Sequence, residues 1–338
     1  MEPKFYVSSS PHITDNESIP KIMYGVMLSL IPATAGAIYF FGIRAGWIIL
    51  LSIVSAMATE GILQKLMKKS VTIKDGSAMV TGILLAFNLP AEVPWWIPVI
   101  GSVFAIGIGK IPFGGLGYNP MNPALLGRAF LLASWPTHLT IFKTIPRGGT
   151  ISGIDVITNA TPLNVFKIAK ASILAEQVQD YDVAIRQLYD SYSNLFVGRV
   201  GGCLGETSAL LLLIGALYLI YKRYISLKVP VSYILTVALL SWIFGGTEGF
   251  FSGDPLFHVL AGGLILGAFF MATDMVTSPV TAKGRIIFGI GCGVITVIIR
   301  LVGGYPEGVS YSILLMNLTV PLINRYTRPK VFGEVKRS

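Results

Sequence analysis

The chain has 338 residues, of which 53% are hydrophobic and only 13% are charged. A soluble domain carries roughly 25% charged residues, so this composition excludes an ordinary soluble domain and indicates an all-α polytopic membrane protein. The net charge of +9 does not indicate nucleic-acid binding, because lysine and arginine cluster in short segments between apolar runs. The lipid bilayer is therefore the predicted environment.

The chain has only two cysteines, Cys203 and Cys292. Neither has a partner at metal-ligand spacing, so we expect neither a zinc site nor an iron–sulfur site held by this chain alone. Each cysteine is predicted to be a small apolar residue beside a membrane segment. The first 20 or so residues are polar and lack the apolar stretch of a signal peptide.

Ten apolar segments are predicted to cross the membrane, since about 20 apolar residues span a bilayer as a helix. They cover approximately residues 22–42, 46–67, 76–91, 95–110, 122–136, 205–222, 230–246, 255–273, 284–302 and 309–326. The third and fifth are short, and Asn88-Leu-Pro90 and Asn122-Pro123 interrupt them. Short segments interrupted by Gly or Pro are typical of broken helices around a site near the membrane midplane.

The basic residues between the segments predict the orientation. With ten spans they fall on one side, which the positive-inside rule makes cytoplasmic; the clusters are Lys4 and Lys21, Lys65 to Lys74, Lys222 to Lys228, Lys283 and Arg285, and Arg325 to Arg337. Both termini are then cytoplasmic, and residues 137–203 are extracytoplasmic. This inference requires an odd number of spans before residue 137.

The two halves of the chain resemble each other weakly. GILLAFNLP (82–90) and, after an apolar span, GGLGYNPMNPALLGRAF (114–130) are echoed by GLILGAFFMATDMVTSP (263–279) and GGYPEGVSYSILLMN (303–317). Five spans per half make the halves inverted with respect to the membrane. The predicted organisation is a tail (1–21), a five-helix repeat (22–136), an outer segment (137–203), a second repeat (204–326) and a tail (327–338).

The outer segment contains an apolar pattern at helical spacing. The residues are Leu174, Val178, Tyr181, Ile185, Leu188 and Tyr192. This pattern predicts an amphipathic helix of about 20 residues that packs on the membrane-proximal surface.

Charged residues inside or at the edge of predicted spans include Glu60, Arg128, Asp274 and Arg300. Such residues usually face a cavity or a partner. Asp274, beside a predicted helix break, is the best candidate for a polar site residue. Glu60 is about one turn from Lys65, which also predicts a pair at the membrane edge. Arg128 is interpreted as neutralising helix C-termini.

The polar stretch DVITNATPL (155–163) raises the question of a special hydroxyl. Thr161-Pro162 predicts a helix N-cap followed by Pro at the first helical position. No histidine is nearby to activate a hydroxyl, which disfavours a hydrolase. From the residues alone, the stretch is an ordinary turn before a helix.

A resemblance changes that interpretation. Asp155, Thr158, Ala160 and Thr161 resemble the Asp-x-x-Ser/Thr-Gly/Ser-Ala-Ser/Thr motif of covalently flavinylated membrane proteins. In that family a flavin transferase uses FAD to join FMN to the final hydroxyl through a phosphoester, which implies FMN on Thr161. Asn159 departs from the motif, where the family usually has a small residue.

Two further stretches are similar to known membrane proteins. Ser9-Ser-Pro-His-Ile13, with Ser18 and Ile22-Met23, resembles the start of the D subunits of Rnf complexes. The turn from Gly114 to Ala124, GGLGYNPMNPA, resembles one shared with the B subunit of the Na⁺-translocating NADH:quinone reductase. The resemblance spans nearly the whole chain, including its ten-helix plan.

The resemblance implies a membrane electron-transfer subunit that is not catalytic alone. Rnf complexes couple electron transfer between ferredoxin and NAD⁺ to Na⁺ or H⁺ movement across the cell inner membrane. The implied partners are other Rnf subunits, including a peripheral FMN-bearing subunit and iron–sulfur subunits, and a flavin transferase for maturation. The chain has no dinucleotide-binding fingerprint, so NAD⁺ is assigned to another subunit.

Three alternatives stay open. The single Asn-Pro-Ala turn at 122–124 also fits a solute channel or transporter, and the quinone reductase B subunit shares the flavin chemistry. A related B subunit holds a second, noncovalent riboflavin between its repeats; by resemblance Asn119, Asn122 and the break from Asp274 to Thr277 would line such a site. The two asparagines would otherwise only cap a broken helix.

Overall fold

The computed structural model describes residues 17–140, 142, 161–174, 192–206, 208–246, 249–305 and 307–329. Throughout these residues the regular structure is helical, without strands. The helices are α1 (Ile19–Phe41), α2 (Ile43–Leu66), α3 (Ser77–Phe87), α4 (Trp96–Gly107), α5 (Pro123–Ser134), α6 (Pro136–Thr140), α7 (Pro162–Leu174), α8 (Tyr192–Val197), α9 (Ala209–Tyr221), α10 (Lys228–Phe244), α11 (Pro255–Leu260), α12 (Leu264–Leu266), α13 (Ala282–Leu301) and α14 (Val309–Tyr326).

The all-α polytopic membrane class is confirmed. Within the described part of the chain, four helices are long and apolar enough to cross a membrane: Ile19–Phe41, Ile43–Leu66, Trp96–Phe113 and Ala282–Leu301. Shorter apolar helices are Ser77–Phe87, Pro123–Ser134, Ala209–Tyr221 and Lys228–Phe244. Each of the ten predicted segments contains at least one helix.

Two of the predicted spans are short helices, as expected. The helix α3 has 11 residues and ends at Asn88, whose side-chain amide donates to the Leu84 carbonyl at 2.7 Å. The helix α5 has 12 residues and begins after Asn122, whose side chain accepts from the backbone N–H groups of Ala124 and Leu125. The asparagines thus satisfy polar groups at helix ends that lipid cannot satisfy.

The predicted continuous span 255–273 is wrong. The helix α11 ends at Leu260, α12 begins at Leu264, and a π-helical turn (Gly267–Met271) follows directly. Gly262 between them has φ +73°, a conformation that favours glycine. Arg300 of α13 donates to the backbone carbonyls of His258 (2.5 Å) and Ala261 (3.2 Å), so its buried guanidinium satisfies groups that the break leaves unpaired.

The helices pack in a similar order in both halves. In the first, α2 packs on α4 and α4 on α5; in the second, α10 packs on α13 and α13 on α14. The halves meet where α1 packs on α9 and α5 on α14. At the first crossing a Cβ on Gly215 would lie 2.0 Å from the Ser29 carbonyl oxygen, so close approach requires glycine. Inversion of the halves with respect to the membrane stays a prediction.

The helices α6, α7 and α8 belong to the predicted outer segment. Most of the predicted amphipathic helix lies outside the described residues; Leu174 ends α7 and Tyr192 begins α8. The N-terminal signature from Ser9 to Ile13 and the motif residues Asp155, Thr158, Asn159 and Ala160 also lie outside them.

Candidate functional site

Thr161 lies at the N-terminus of α7, as predicted. Its Oγ1 accepts a hydrogen bond from the backbone N–H of Asn164 at 3.3 Å, and Pro162 is the first helical residue. The residue is 4% exposed. The N-cap prediction is therefore confirmed, and the hydroxyl lies at the positive end of a 13-residue helix.

An apolar cluster anchors α7 to the second half of the chain. The centroid of the Phe166 ring lies 5.1 Å from that of the His258 ring and 5.5 Å from that of the Phe257 ring, both in α11. Lys167 donates to the backbone carbonyl of Gly303, between α13 and α14. These contacts fix the position of Thr161 relative to the helix ends around it.

A pocket of about 270 Å³ opens beside Thr161. Residues from four segments line it: Arg128, Leu132, Leu139, Thr140, Phe142, Thr161, Asn164, Gly304, Tyr305 and Glu307. One wall is apolar and aromatic, and the other carries a guanidinium and a carboxylate. An apolar lining with a few polar groups is typical of small-molecule sites.

Arg128 of α5 forms the polar wall of this pocket. Its Nη1 donates to Asn88 Oδ1 at 2.6 Å and to Glu206 Oε1 at 3.1 Å, and its Nη2 donates to Glu307 Oε2 at 2.5 Å. Arg128 therefore reaches the C-terminal end of α3 through Asn88, in keeping with its interpreted role at helix C-termini, and also pairs with two carboxylates. Its forked guanidinium joins the end of α3 to two carboxylates of the second half.

Sequence reasoning did not single out Glu206 and Glu307 as site residues. They lie 78 and 179 positions from Arg128, and nothing local to either indicates the pairing. Cys203, 1% exposed, lies beside them: its Sγ and one oxygen of each carboxylate are within 4.8 Å of one another. Cys203 is buried, as expected, but its surroundings are polar.

A second pocket, of about 90 Å³, lies between the halves and brings together Asn119, Asn122 and Asp274. Asn119 Nδ2 donates to the Met121 carbonyl at 3.0 Å. Asn122 Nδ2 donates to the carbonyl of Met271 at 3.4 Å, so the α5 cap also contacts the π-helical turn. The three residues that the resemblance placed together therefore share one pocket.

The Asp274 side chain organises the break after the π-helical turn. Its Oδ2 accepts from the Thr277 hydroxyl at 3.0 Å and its Oδ1 from the Val276 N–H at 3.4 Å. Phe269, Phe270 and Thr273 line the same pocket. The pocket thus offers amide and carboxylate groups beside two aromatic rings.

Glu60 forms its ion pair with Lys110 rather than with Lys65. Lys110 Nζ lies 2.9 Å from both carboxylate oxygens of Glu60 and donates to Ser77 Oγ at 2.6 Å. Glu60 is 0% exposed and Lys110 is 1% exposed. The pair is therefore internal, and the predicted snorkelling pair at the membrane edge is wrong.

Comparison with known proteins decides the family. A family model described as the NQR2, RnfD, RnfE family matches residues 6–333. The chain belongs to this family. The matched residues include both pockets and every described helix, so relatives can be compared along nearly the whole chain.

Three relatives illustrate the similarity. The D subunit of the Na⁺-translocating ferredoxin:NAD⁺ oxidoreductase complex of Acetobacterium woodii is 51% identical, over 98% of this chain and 96% of the relative. The D subunit of the proton-translocating ferredoxin:NAD⁺ oxidoreductase complex of Clostridium ljungdahlii is 49% identical, over 97% and 96%. The D subunit of an ion-translocating oxidoreductase complex of Escherichia coli is 38% identical, over 98% and 99%. Because the first two are named for different ions at nearly equal identity, similarity does not select the coupling ion.

Proposed function

We propose that the chain is the membrane electron-transfer D subunit of an Rnf-type complex, with FMN joined to Thr161 by a phosphoester. The complex would couple electron transfer between ferredoxin and NAD⁺ to Na⁺ or H⁺ translocation. Family membership over residues 6–333 supports the complex. One structural observation carries the flavin assignment: the hydroxyl that ends the flavinylation motif caps a helix at the edge of a pocket.

The residues around Thr161 fit an FMN group. A phosphate is favoured at a helix N-terminus, where backbone N–H groups and the helix dipole stabilise negative charge. Leu132, Leu139, Phe142 and Tyr305 supply the apolar and aromatic surface that a flavin ring system requires. Bound there, the flavin would supply reversible electron transfer, which no side chain of this chain provides.

The protein's own residues would position and tune that group. The packing of Phe166 and the hydrogen bond of Lys167 hold α7, and therefore Thr161, against the second half. Arg128 places a positive charge in the same pocket, where it pairs with two carboxylates. A covalent tether would keep the flavin within electron-transfer distance of neighbouring proteins of the complex.

We place the protein in the cytoplasmic (inner) membrane with both termini cytoplasmic and the flavin segment outside. The distribution of basic residues between spans supports this orientation. The partners would be the other membrane and peripheral Rnf subunits, including an FMN-bearing subunit and iron–sulfur subunits, with a flavin transferase acting during maturation.

Loss of the Thr161 hydroxyl is expected to abolish covalent flavin. The chain would be expressed with a flavin transferase and examined by ultraviolet fluorescence after denaturing electrophoresis. Wild type and Thr161→Ser should fluoresce, since both offer a hydroxyl, and Thr161→Ala should be dark. Thr140→Ala is the matched control, because Thr140 lines the same pocket and its hydroxyl donates to the Pro136 carbonyl of its own helix.

A fluorescent Thr161→Ala band would contradict the assignment of Thr161. A dark wild-type band, in cells that flavinylate a control protein, would contradict covalent flavinylation itself. The solute channel or transporter would then be the leading function, with the Asn122-Pro-Ala124 turn as its candidate site.

We also propose a second, noncovalent riboflavin in the pocket between the halves. Asn119, Asn122 and Asp274 would bind its polar edges, and Phe269 and Phe270 its ring system. Acid should then release flavin from purified Thr161→Ala protein at about one per chain. Asn119→Ala should lower that ratio through lost binding rather than a disturbed helix end, because Asn119 caps no helix. An unchanged ratio, or no released flavin, would contradict this site.

A further inference from the structure

The Arg128 cluster holds two carboxylates with one close cation. Arg128 bonds Glu206 at 3.1 Å and Glu307 at 2.5 Å. The side chains are 2% exposed for Glu206 and 12% for Glu307, and the Arg128 side chain is 11% exposed. All three groups are therefore largely removed from water. In such a buried environment an uncompensated charge is costly.

Two ionised carboxylates would leave this cluster with a net negative charge. Among the described cations, Arg128 alone lies within 4.0 Å of either carboxylate. Arg300 approaches from α13, but its guanidinium donates to backbone carbonyls and attracts the carboxylates only at longer range. Lys167 approaches from α7 and donates to carbonyls at the pocket rim.

Three further polar neighbours are Cys203, Tyr305 and Asn88. The Cys203 thiol lies within the 4.8 Å group, Tyr305 lines the pocket, and Asn88 accepts a hydrogen bond from Arg128. None of these three brings a positive charge to the carboxylates. Within 4.0 Å of the carboxylates, the described side chains therefore supply one positive charge against two negative ones.

A second observation identifies the carboxylate oxygen that lacks a hydrogen-bond partner among the described residues. Glu206 Oε2 is buried and has no hydrogen-bond partner within the described part of the chain. Glu206 is 6% exposed, so water does not solvate this oxygen freely. It belongs to the carboxylate that shares the 4.8 Å group with Glu307 and Cys203.

We propose that Glu206 and Glu307 form a proton-binding site that holds one proton on Oε2 of Glu206. A proton there removes the excess charge and turns the unpartnered acceptor into a donor facing a carboxylate and a thiol. Two carboxylates that lie close together generally retain one proton between them, because two adjacent negative charges repel each other. The pKa of Glu206, which lies in the connection before α9, agrees: burial and the Glu307 carboxylate raise it to about 8, against the lowering effect of Arg128.

A proton explains the cluster better than a metal ion does. A thiol and two carboxylates could ligate a divalent cation. Both carboxylates, however, already accept hydrogen bonds from the Arg128 guanidinium. A divalent cation would have to bind directly beside this guanidinium and displace the thiol proton, whereas a proton needs only the unpartnered Oε2 of Glu206.

The proton also controls the charge beside Thr161, a consequence that rests on the proposed function. Arg128 and Glu307 line the Thr161 pocket. With the proton bound, the cluster carries one positive and one negative charge; release of the proton to water adds one negative charge. A flavin in the pocket should then become harder to reduce as the pH rises through about 8.

The first test uses Thr161→Ala protein, which needs no flavin. Infrared spectroscopy at pH 7 should detect a protonated carboxyl band that shifts in ²H₂O and disappears in Glu206→Gln. Glu17→Gln, which removes an exposed carboxylate paired with Lys21, should keep the band. Absence of the band, or its persistence in Glu206→Gln, would overturn the proposal.

Thermal unfolding as a function of pH is the second readout. A pKa raised from 4.5 to about 8 means that the folded protein binds the proton more tightly than the unfolded chain. The stabilisation is complete below about pH 4.5 and is lost as the pH rises to about 8. The melting temperature of wild type should therefore fall across this range relative to Glu206→Gln, and a constant difference would overturn the proposal.

Two further measurements separate the alternatives. Zinc retained stoichiometrically by the purified wild type and lost in Cys203→Ser would overturn the proton in favour of a metal. In flavin-loaded protein, the midpoint potential should fall more steeply above pH 7 in wild type than in Glu206→Gln. If no flavin is attached, the infrared and unfolding results still decide the proton site.

Discussion

Arg128→Gln is expected to destabilise the protein by about 3–5 kcal/mol, the usual effect of removing one partner from a buried ion pair. The substitution leaves Glu206 and Glu307 facing each other without their shared cation and removes the hydrogen bond to Asn88. It also breaks a direct link between the halves. Tryptophan fluorescence during heating of the detergent-solubilised protein measures the loss.

Arg44→Gln is the matched control for this variant. Arg44 is an exposed arginine whose guanidinium donates to the backbone carbonyl of Glu92 at 3.5 Å. We expect a change within about 0.5 kcal/mol there. If Arg128→Gln unfolds at the same temperature as Arg44→Gln, the cluster does not stabilise the contact between the halves.

Lys110→Met is expected to lower the free energy of unfolding by a similar amount, about 3–5 kcal/mol, because it leaves the Glu60 carboxylate buried without its cation. The double variant Lys110→Met/Glu60→Gln should recover much of the loss, since no unpaired charge remains. Gln64 and Thr72 still offer hydrogen-bond partners to a neutral residue at position 60.

Lys65→Met distinguishes the structural pair from the pair that sequence spacing indicated. Lys65 is exposed and follows Glu60 by about one helical turn. Its replacement should change the melting temperature little. A large loss in Lys65→Met together with a small loss in Lys110→Met would mean that Glu60 is paired as the sequence indicated and that the internal pair is wrong.

The helix plan was predictable because its signals are local. Apolar runs marked every span, and Asn88-Leu-Pro90 and Asn122-Pro123 marked the ends of short helices, where asparagine side chains satisfy free backbone groups. Thr161-Pro162 marked the start of α7 for the same reason. The break at 261–263 was missed because its carbonyls are satisfied by Arg300, a residue of another helix.

The polar contacts between helices were not predictable from the sequence. In an apolar helix, the surrounding residues do not indicate which neighbour a charged side chain will face. Glu60 has a basic residue at helical spacing, yet its partner is 50 positions away. Arg128 stood out as a charge within a span, but Glu206 and Glu307 lie just before α9 and α14, and nothing local to either residue indicated Arg128 as its partner.

The flavin assignment combines a motif that is local in the sequence with a pocket built from distant segments. The motif indicated Thr161 as the attachment residue, while the pocket that surrounds it is built from α5, α6 with Phe142 after it, α7 and the connection before α14. The resemblance also placed Asn119, Asn122 and Asp274 together, and they line one pocket. The distances between side chains and their hydrogen-bond partners within either site could be found only from the folded structure.

The mass of the peptide containing residues 155–163 tests the central claim most directly. The protein would be purified from cells that contain a flavin transferase, digested, and analysed by mass spectrometry with fragmentation. We expect the peptide to carry one FMN, with the fragment ions placing it on Thr161. An unmodified peptide, or FMN placed on Thr158, would contradict the account.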